Sequence, residues 1–338
     1  MERNRCHEKI INNPEKVVRD MIDGMLFAHS DKLQNMPETN IIIRANSPFQ
    51  GKVAIVSGGG SGHEPAHIGF VGKGMLDAAV MGEIFTSPTP DQILKAIQKV
   101  HTGSGVLLIV KNYSGDIMNF ELAAEMAEAQ GIPIATVIVN DDIAINNSSH
   151  TMRRRGISGT IFVHKIAGAM AEKGASLKEV EDVANKVIAN TRSMGMALKT
   201  CTIPGAGTVG YKIGENEVEV GIGIHGEAGT HRISMISADE MAKLLLEDIL
   251  SDMQLKIGDK VAVMVNGLGG TPLMELYIIN KMVNTILNKT GIDICKTYVG
   301  EYMTAIDMAG FSITLLKLDG QLSALLNDPA NTTNWRVQ

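Results

Sequence analysis

The sequence predicts an α/β fold, with two α/β domains that each carry a mixed sheet flanked by helices. Three observations lead to this reading. Continuous apolar runs of buried-strand type, such as residues 105–110, alternate with segments whose apolar residues recur at helical spacing. Several of the strand-like runs end in glycine-rich polar segments, at 58–62 and 266–271. Near residues 186–200 the pattern changes, and 216–225 alternates with period two, which marks a second domain. The division is placed at 1–190 and 191–338, with the C-terminal tail free to return to the first domain.

Pro14 opens a helix to about residue 29, because Val17, Val18, Met21, Met25 and Leu26 form one apolar stripe. An apolar stretch at 40–44, a strand at 52–57 and a small-residue strand at 77–81 follow. Ser87-Pro88-Thr89-Pro90-Asp91 starts a helix to about 101, and 105–110 is a buried strand. A helix over 119–130, a strand over 133–139 and helices over 160–172 and 176–198 complete the first pattern. In the second, the alternating strand 216–225 ends on His225-Gly226-Glu227, and 260–265 is a strand that runs into a glycine turn and a helix over 272–287. Residues 292–299 and 311–317 are expected strands. Methionine is abundant, at 20 residues, and Met25, Met126 and Met170 are expected to pack in helix cores.

Composition narrows the function classes. The chain has 338 residues, 44% hydrophobic and 20% charged, which suits a globular protein able to bury its own core. A net charge of −6, with Arg153-Arg154-Arg155 as the main basic cluster, argues against nucleic acid, whose phosphates demand a broad basic surface. Cys6, Cys201 and Cys295 form no C-x-x-C pair, which argues for a reducing compartment rather than a disulfide framework. No apolar run approaches the roughly 18 residues of a membrane span, so a soluble, cytoplasmic protein is expected.

The chemistry concentrates in Ser57-Gly58-Gly59-Gly60-Ser61-Gly62-His63-Glu64-Pro65. Glycines at a strand end let backbone N–H groups approach a small polar ligand, and a neighbouring imidazole exchanges protons near neutral pH. A phosphate-binding loop would need Lys-Ser or Lys-Thr after the glycines, and none is present. His63-Glu64-Pro65-Ala66-His67 matches H-E-x-x-H, but Pro65 within the span disfavours the helix that would bring both rings to one zinc ion, so no metal site is assigned. Two further polar strand ends, Lys111-Asn112-Tyr113-Ser114-Gly115-Asp116 and His225, can converge with His63 beyond the carboxyl ends of the strands. A histidine beside a carboxylate suits acid–base work on an alcohol, and a second, neutral histidine suits addition to a carbonyl. Taken singly, Lys111 and Asp116 also fit a surface ion pair, and His225 fits a structural turn histidine. The other histidines lack a comparable glycine-flanked setting.

These stretches, together with Gly82 to Asp91 (GEIFTSPTPD), Gly105 to Asp116 (GVLLIVKNYSGD), Gly221 to Glu227 (GIGIHGE) and Asp307 to Lys317 (DMAGFSITLLK), resemble the K subunits of bacterial phosphotransferase-dependent dihydroxyacetone kinases, in family order over nearly the whole chain. The resemblance implies a two-domain homodimer with one site per protomer. It implies that His225 adds to the carbonyl of dihydroxyacetone and holds it as a covalent hemiaminal. It further implies that Gly60, Ser61, Gly62, Lys111 and Asp116 bind the triose, that His63 and Asp116 activate its hydroxyl, and that Phe85 and Thr86 line the pocket. No cofactor is expected in this chain. ADP/ATP and magnesium are implied on a separate L subunit, rephosphorylated by a phosphoprotein of the phosphotransferase system. ATP-using relatives carry that nucleotide domain fused at the C-terminus, and this chain ends at Gln338 without it. The docking loops are expected to include Arg153, Arg154 and His231. Departures from the family pattern include Met81, residues 149–152 and Ala228, where proline is expected. K-like paralogues that bind dihydroxyacetone and co-activate a transcription regulator are the alternative.

Overall fold

Two six-stranded mixed sheets, each flanked by helices, organise the chain. The structure, a computed structural model, describes residues 9–145, 154–208 and 212–338. In the first sheet β3 (Ala54–Ser61) runs parallel to both β4 (Ala78–Ile84) and β5 (Val106–Lys111), and β5 is parallel to β6 (Ile134–Val139). At the opposite edge, β1 (Leu33–Asn35) and β2 (Ile41–Arg44) add antiparallel, giving the order β1-β2-β4-β3-β5-β6. From β3 the chain passes to β4 on one side, then returns through α2 (Pro90–Val100) to β5 on the other. The C-terminal end of β3 is therefore a switch point, where diverging connections leave a crevice.

The continuous apolar runs are explained by burial on both faces. Ile41, Ile43, Val56 and Leu108 pack with Ile93 and Ile97 of α2 and with Phe120 of α3 (Ser114–Glu128). The alternate residues Ile42, Ile55, Leu107 and Ile109 pack in a second cluster with Ile22 of α1 (Val17–Ala28), Ile166 of α4 (Thr160–Glu172) and Val183 of α5 (Leu177–Ala189).

The second sheet joins β7 (Thr191–Lys199), β10 (Glu217–Val220), β11 (His231–Ser234), β12 (Lys260–Gly267), β13 (Asp293–Glu301) and β14 (Ala309–Leu318) in the order β11-β10-β7-β14-β12-β13, all antiparallel neighbours except β12 and β13. A short hairpin of β8 (Thr202–Ile203) and β9 (Gly207–Thr208) lies between β7 and β10 in sequence. One face is covered by α6 (Ala238–Met253) and α7 (Leu273–Lys289). Ala262, Met264, Leu316 and Leu318, from β12 and β14, belong to the same buried cluster as α4 and α5, as does Leu322 of α8 (Gly320–Asn327). The tail hairpin, β15 (Ala330–Asn331) with β16 (Arg336–Val337), reaches back to the first half of the chain: Asn331 bridges Lys73, and the Asn334 N–H donates to Gly69 O at 3.0 Å. Among the described residues, no helix is long and apolar enough to cross a membrane.

Five sequence-based expectations are corrected. The strand expected at 52–57 runs on through the glycines to Ser61, because its neighbours stand too close for side chains: a Cβ on Gly58 would fall 2.3 Å from Val80 O. The helix expected to reach 198 stops at Ala189, where Asn190 turns its side-chain amide back onto Lys186 O, and 191–199 becomes the strand β7. α3 starts at Ser114 rather than 119, which puts Asp116 in its first turn. The alternating strand ends at Val220, since Gly221 (φ +74°) turns the chain out of the sheet, and His225 sits in the loop beyond it. Of the three methionines expected in helix cores, Met25 and Met170 pack against the core, whereas Met126 is exposed.

Candidate functional site

At the switch point, β3 brings His63 two residues past its end, β5 brings Lys111, the first turn of α3 brings Asp116, and the connection after β4 brings Phe85. The loop after β10 adds His225 from the other sheet. His63 and Lys111 are fully buried, and Asp116 is 4% exposed. The Lys111 Nζ donates to Asp116 Oδ2 at 3.1 Å, so the pair is an interior one rather than a surface one.

The glycines are required by what lies over them. A Cβ on Gly59 would stand 2.3 Å from Lys111 Nζ and 3.5 Å from both Asp116 Oδ2 and His67 Nε2, so three polar side chains meet above that residue. A Cβ on Gly60 would strike the Thr86 N at 2.6 Å, and one on Gly62 the Phe85 ring at 2.9 Å. Ser61 donates its hydroxyl to Gly82 O at 2.7 Å, which leaves only its lone pairs for a ligand. Phe85, at φ +55°, lays its ring on His63 with centroids 5.1 Å apart. Thr86 is exposed and turns its hydroxyl to Ile84 O at 3.2 Å.

His225 is boxed by aromatic rings. Tyr113, His63 and Phe85 meet it edge to face at 4.4, 4.7 and 5.4 Å. Its backbone N–H donates to Glu227 Oε2 at 2.8 Å, while Glu227 Oε1 receives Arg155 Nη1 at 3.3 Å. Arg155 is in turn held by Asp142 and by Gly221 O, and so ties both ends of the loop. Burial first, and then the neighbouring His63, Lys111 and Arg155, hold the His225 imidazole well below its ordinary pKa. The ring is therefore neutral and carries a free lone pair.

The tautomer of His63 follows from its one hydrogen bond. Nδ1 lies 2.8 Å from the Thr304 carbonyl, which only accepts, so Nδ1 carries the proton. Nε2 is then an unprotonated, buried nitrogen with no hydrogen-bond partner among the described residues. Burial and the Lys111 charge push this ring down to about 3. Such a nitrogen can accept a hydrogen bond from a ligand hydroxyl.

Of the residues expected from sequence, Gly60, Ser61, Gly62, His63, Phe85, Lys111, Asp116 and His225 all gather around this one crevice. Arg154 is engaged by Asp252 through both Nη atoms, Arg155 is buried, His231 is exposed on β11, and Arg153 lies outside the described residues, as do residues 149–152. Met81 is buried within β4 and Ala228 is exposed. Sequence reasoning missed His67, His164, Tyr113, Arg155, Glu227 and Thr304. Tyr113 lay within a flagged motif and His67 closed the H-E-x-x-H match, whereas Thr304 carried no sequence signal.

A model of the Dak1 domain matches residues 23–334. The PTS-dependent dihydroxyacetone kinase 1, dihydroxyacetone-binding subunit DhaK, of Listeria innocua is 50% identical over 97% of this chain and 100% of its own length. The corresponding PEP-dependent DhaK subunit of Escherichia coli is 40% identical over 97% of this chain and 99% of its own. Among solved structures, the dihydroxyacetone kinase operon co-activator DhaQ superposes with a TM-score of 0.90 at 37% identity, covering 94% of this chain and 98% of that one. The dihydroxyacetone kinase of C. freundii gives 0.89 at 38%, covering 98% of this chain and 60% of that one. With the family match spanning nearly all of a chain whose motifs converge on one buried crevice, this chain belongs to the Dak1 domain family, that of the dihydroxyacetone-binding K subunits.

Proposed function

We propose that the chain is the triose-binding subunit of a phosphotransferase-dependent dihydroxyacetone kinase, and that it holds its substrate covalently on His225. The observation that carries the reading is a neutral, boxed His225 edge to face with a His63 whose Nε2 is buried and unpartnered. A ring nitrogen of His225 adds its lone pair to the ketone carbon. The carbonyl oxygen becomes a hydroxyl as the imidazole N–H proton is lost, and a hemiaminal results. A three-carbon ligand offers few atoms for non-covalent affinity, at most about 1.5 kcal/mol per heavy atom, so a reversible bond supplies retention. It also rejects polyols that lack a carbonyl. Lys111 and Asp116 then orient a terminal hydroxyl, and His63 with Asp116 takes its proton as a phosphoryl group arrives.

The phosphoryl donor is ATP, held with magnesium on a separate L subunit and regenerated there from ADP by a phosphoprotein of the phosphotransferase system. The triose subunit acts in the cytoplasm as a homodimer. A docking partner is supported by α3, where Met118, Leu122 and Met126 lie one turn apart as an exposed apolar stripe on the helix whose first turn carries Asp116.

The likeness to the co-activator DhaQ supports a second reading, in which bound triose is sensed rather than phosphorylated. Reconstitution with a cognate L subunit and phosphotransferase components, following triose phosphate formation, separates the two. Turnover supports the kinase subunit. An adduct on His225 without turnover supports the sensor, and the absence of any adduct at saturating dihydroxyacetone overturns both.

A further inference from the structure

Behind the crevice, Lys111 and Asp116 continue into a buried polar chain whose inner members, Ser57, His67 and His164, the proposed chemistry does not use. Ser57, His67, His164 and Lys111 are fully buried, and Asp116 nearly so. Ser57 Oγ donates to Ile109 O at 2.7 Å, which spends its only hydrogen. Its lone pairs face His67 Nδ1 at 3.5 Å and His164 Nε2 at 3.2 Å. On the far side of His67, Nε2 lies 3.3 Å from Lys111 Nζ, which has donors and no acceptor.

Donor and acceptor counting leaves one consistent arrangement. Lys111 donates to His67 Nε2, so the proton of a neutral His67 sits on Nδ1 and points at Ser57. His164 approaches the same oxygen with its Nε2–H. Lys111 divides its remaining donors between Asp116 Oδ2 at 3.1 Å and Gly58 O at 3.4 Å. The long contact to Gly58 is the one a ligand oxygen can take over.

We infer that His67 is a positioning residue for the triose site: as a hydrogen-bond acceptor locked in one tautomer by Ser57 and His164, it fixes the Lys111 ammonium over Gly59, against Asp116. The inference rests on the triose-binding reading above. Without His67 the lysine would lose its inner partner, and the flexible stem could carry the charge away from the hydroxyl it orients. The Phe85, His63 and His225 side of the crevice would be untouched.

The test compares His67→Phe, which fills the volume without an acceptor, with His67→Gln, whose Oε1 can accept from Lys111 while its amide N–H donates to Ser57. With the reconstituted system, His67→Phe is expected to retain the adduct on His225 at saturating triose, to raise KM and to lose roughly 10- to 100-fold in kcat/KM, the scale of one charge-assisted hydrogen bond. His67→Gln is expected to recover to within about threefold of the unsubstituted protein, since it restores the same bond. Equal losses in both variants, tracking their thermal stability, would mean that His67 only fills space and would overturn the inference. So would an unchanged kcat/KM in His67→Phe. Imidazole nitrogen NMR of the unsubstituted, triose-free protein reads the arrangement directly: His67 as the Nδ1–H tautomer and His164 as Nε2–H support it, and a cationic or Nε2–H His67 overturns it. A failure of the unsubstituted protein to bind triose would sink the functional reading while these spectra still judge the hydrogen-bonded chain.

Discussion

The rings of His63 and His225 meet edge to face, centroids 4.7 Å apart and planes at 83°, although one follows β3 of the first sheet and the other follows β10 of the second. Two neutral imidazoles at this distance have different chemistry available to them. His63 is oriented by Thr304 and offers Nε2 as a base, while His225 is held through its backbone by Glu227 and leaves its ring to react. Because His225 lies in a loop rather than in the sheet, His225→Ala removes the reacting ring without disturbing a strand. The expected outcome is loss of the dihydroxyacetone adduct in intact-protein mass spectra with a melting temperature close to that of the unsubstituted protein. An adduct that persists on another residue would remove His225 from the mechanism.

His63→Asn separates binding from turnover. The asparagine amide can still donate to Thr304 O, so the connection to that loop survives, whereas the Nε2 lone pair is gone. The adduct should form, and phosphoryl transfer in the reconstituted system should fall by about 10²-fold or more, the usual size of a lost general base. Asp116→Asn should behave alike. The same His63 variant carries a stability signature. The His63 ring titrates near 6.5 when unfolded and is pushed down to about 3 in the folded protein, mainly by burial. Above pH 6.5 both states are neutral; between 6.5 and 3 the unfolded state binds one proton more, so folding weakens as pH falls. Removing the ring should flatten the loss by about 1.4 kcal/mol per pH unit in that window, read from urea denaturation of variant against unsubstituted protein. Parallel pH profiles would mean that His63 is not buried neutral.

Gly59→Ala tests what the glycine is for. Its Cβ would enter the space of the Lys111 ammonium, 2.3 Å away, and the obstacle is the end of a flexible side chain. Gly59 also sits at φ +155°, a backbone conformation that side chains rarely adopt, so the substitution should cost about 1–3 kcal/mol of stability, and triose affinity should drop by about tenfold or more as Lys111 is pushed from Asp116. Gly60→Ala meets backbone instead, at Thr86 N and Phe85, and should cost stability of about 1–3 kcal/mol first. Equal effects of the two substitutions on triose affinity would contradict the assignment of Gly59 to the ligand side.

How far the sequence revealed this depended on where each signal came from. Apolar runs and helical stripes located β5, β6, α2, α4 and α7 within a few residues, because burial on both faces leaves a local record. The strand at 191–199 was missed: Met194 and Met196 are as compatible with a helix, and only pairing with β14 and β10 makes that segment a strand. The strand was ended at residue 57 because glycine usually interrupts one, while here it marks close packing of strands and of Lys111. The catalytic candidates were visible as polar residues beside glycine. Their supports were not, since Thr304 and Arg155 act through contacts across long sequence separations, and nothing local in an arginine triplet says which member is buried.

Arg155 yields the last prediction. Its guanidinium donates to Asp142 Oδ2 from Nε at 2.7 Å, with Nη2 in ion-pair contact at 2.6 Å, and it donates to Gly221 O at 2.7 Å and to Glu227 Oε1 at 3.3 Å, and so fixes both the start of the loop and the residue that receives the His225 N–H. Asp142 is fully buried, so Arg155→Met strands a carboxylate and should cost about 3–5 kcal/mol. His225 should also lose its placement, and adduct retention should fall. The two effects come apart in the double variant Arg155→Met with Asp142→Asn. Neutralising residue 142 removes the stranded charge and should restore much of the stability in urea. Retention of triose should remain poor, because the Arg155 clamp on Glu227 and Gly221 is still missing. Full retention in the single variant would show that the loop holds His225 without Arg155.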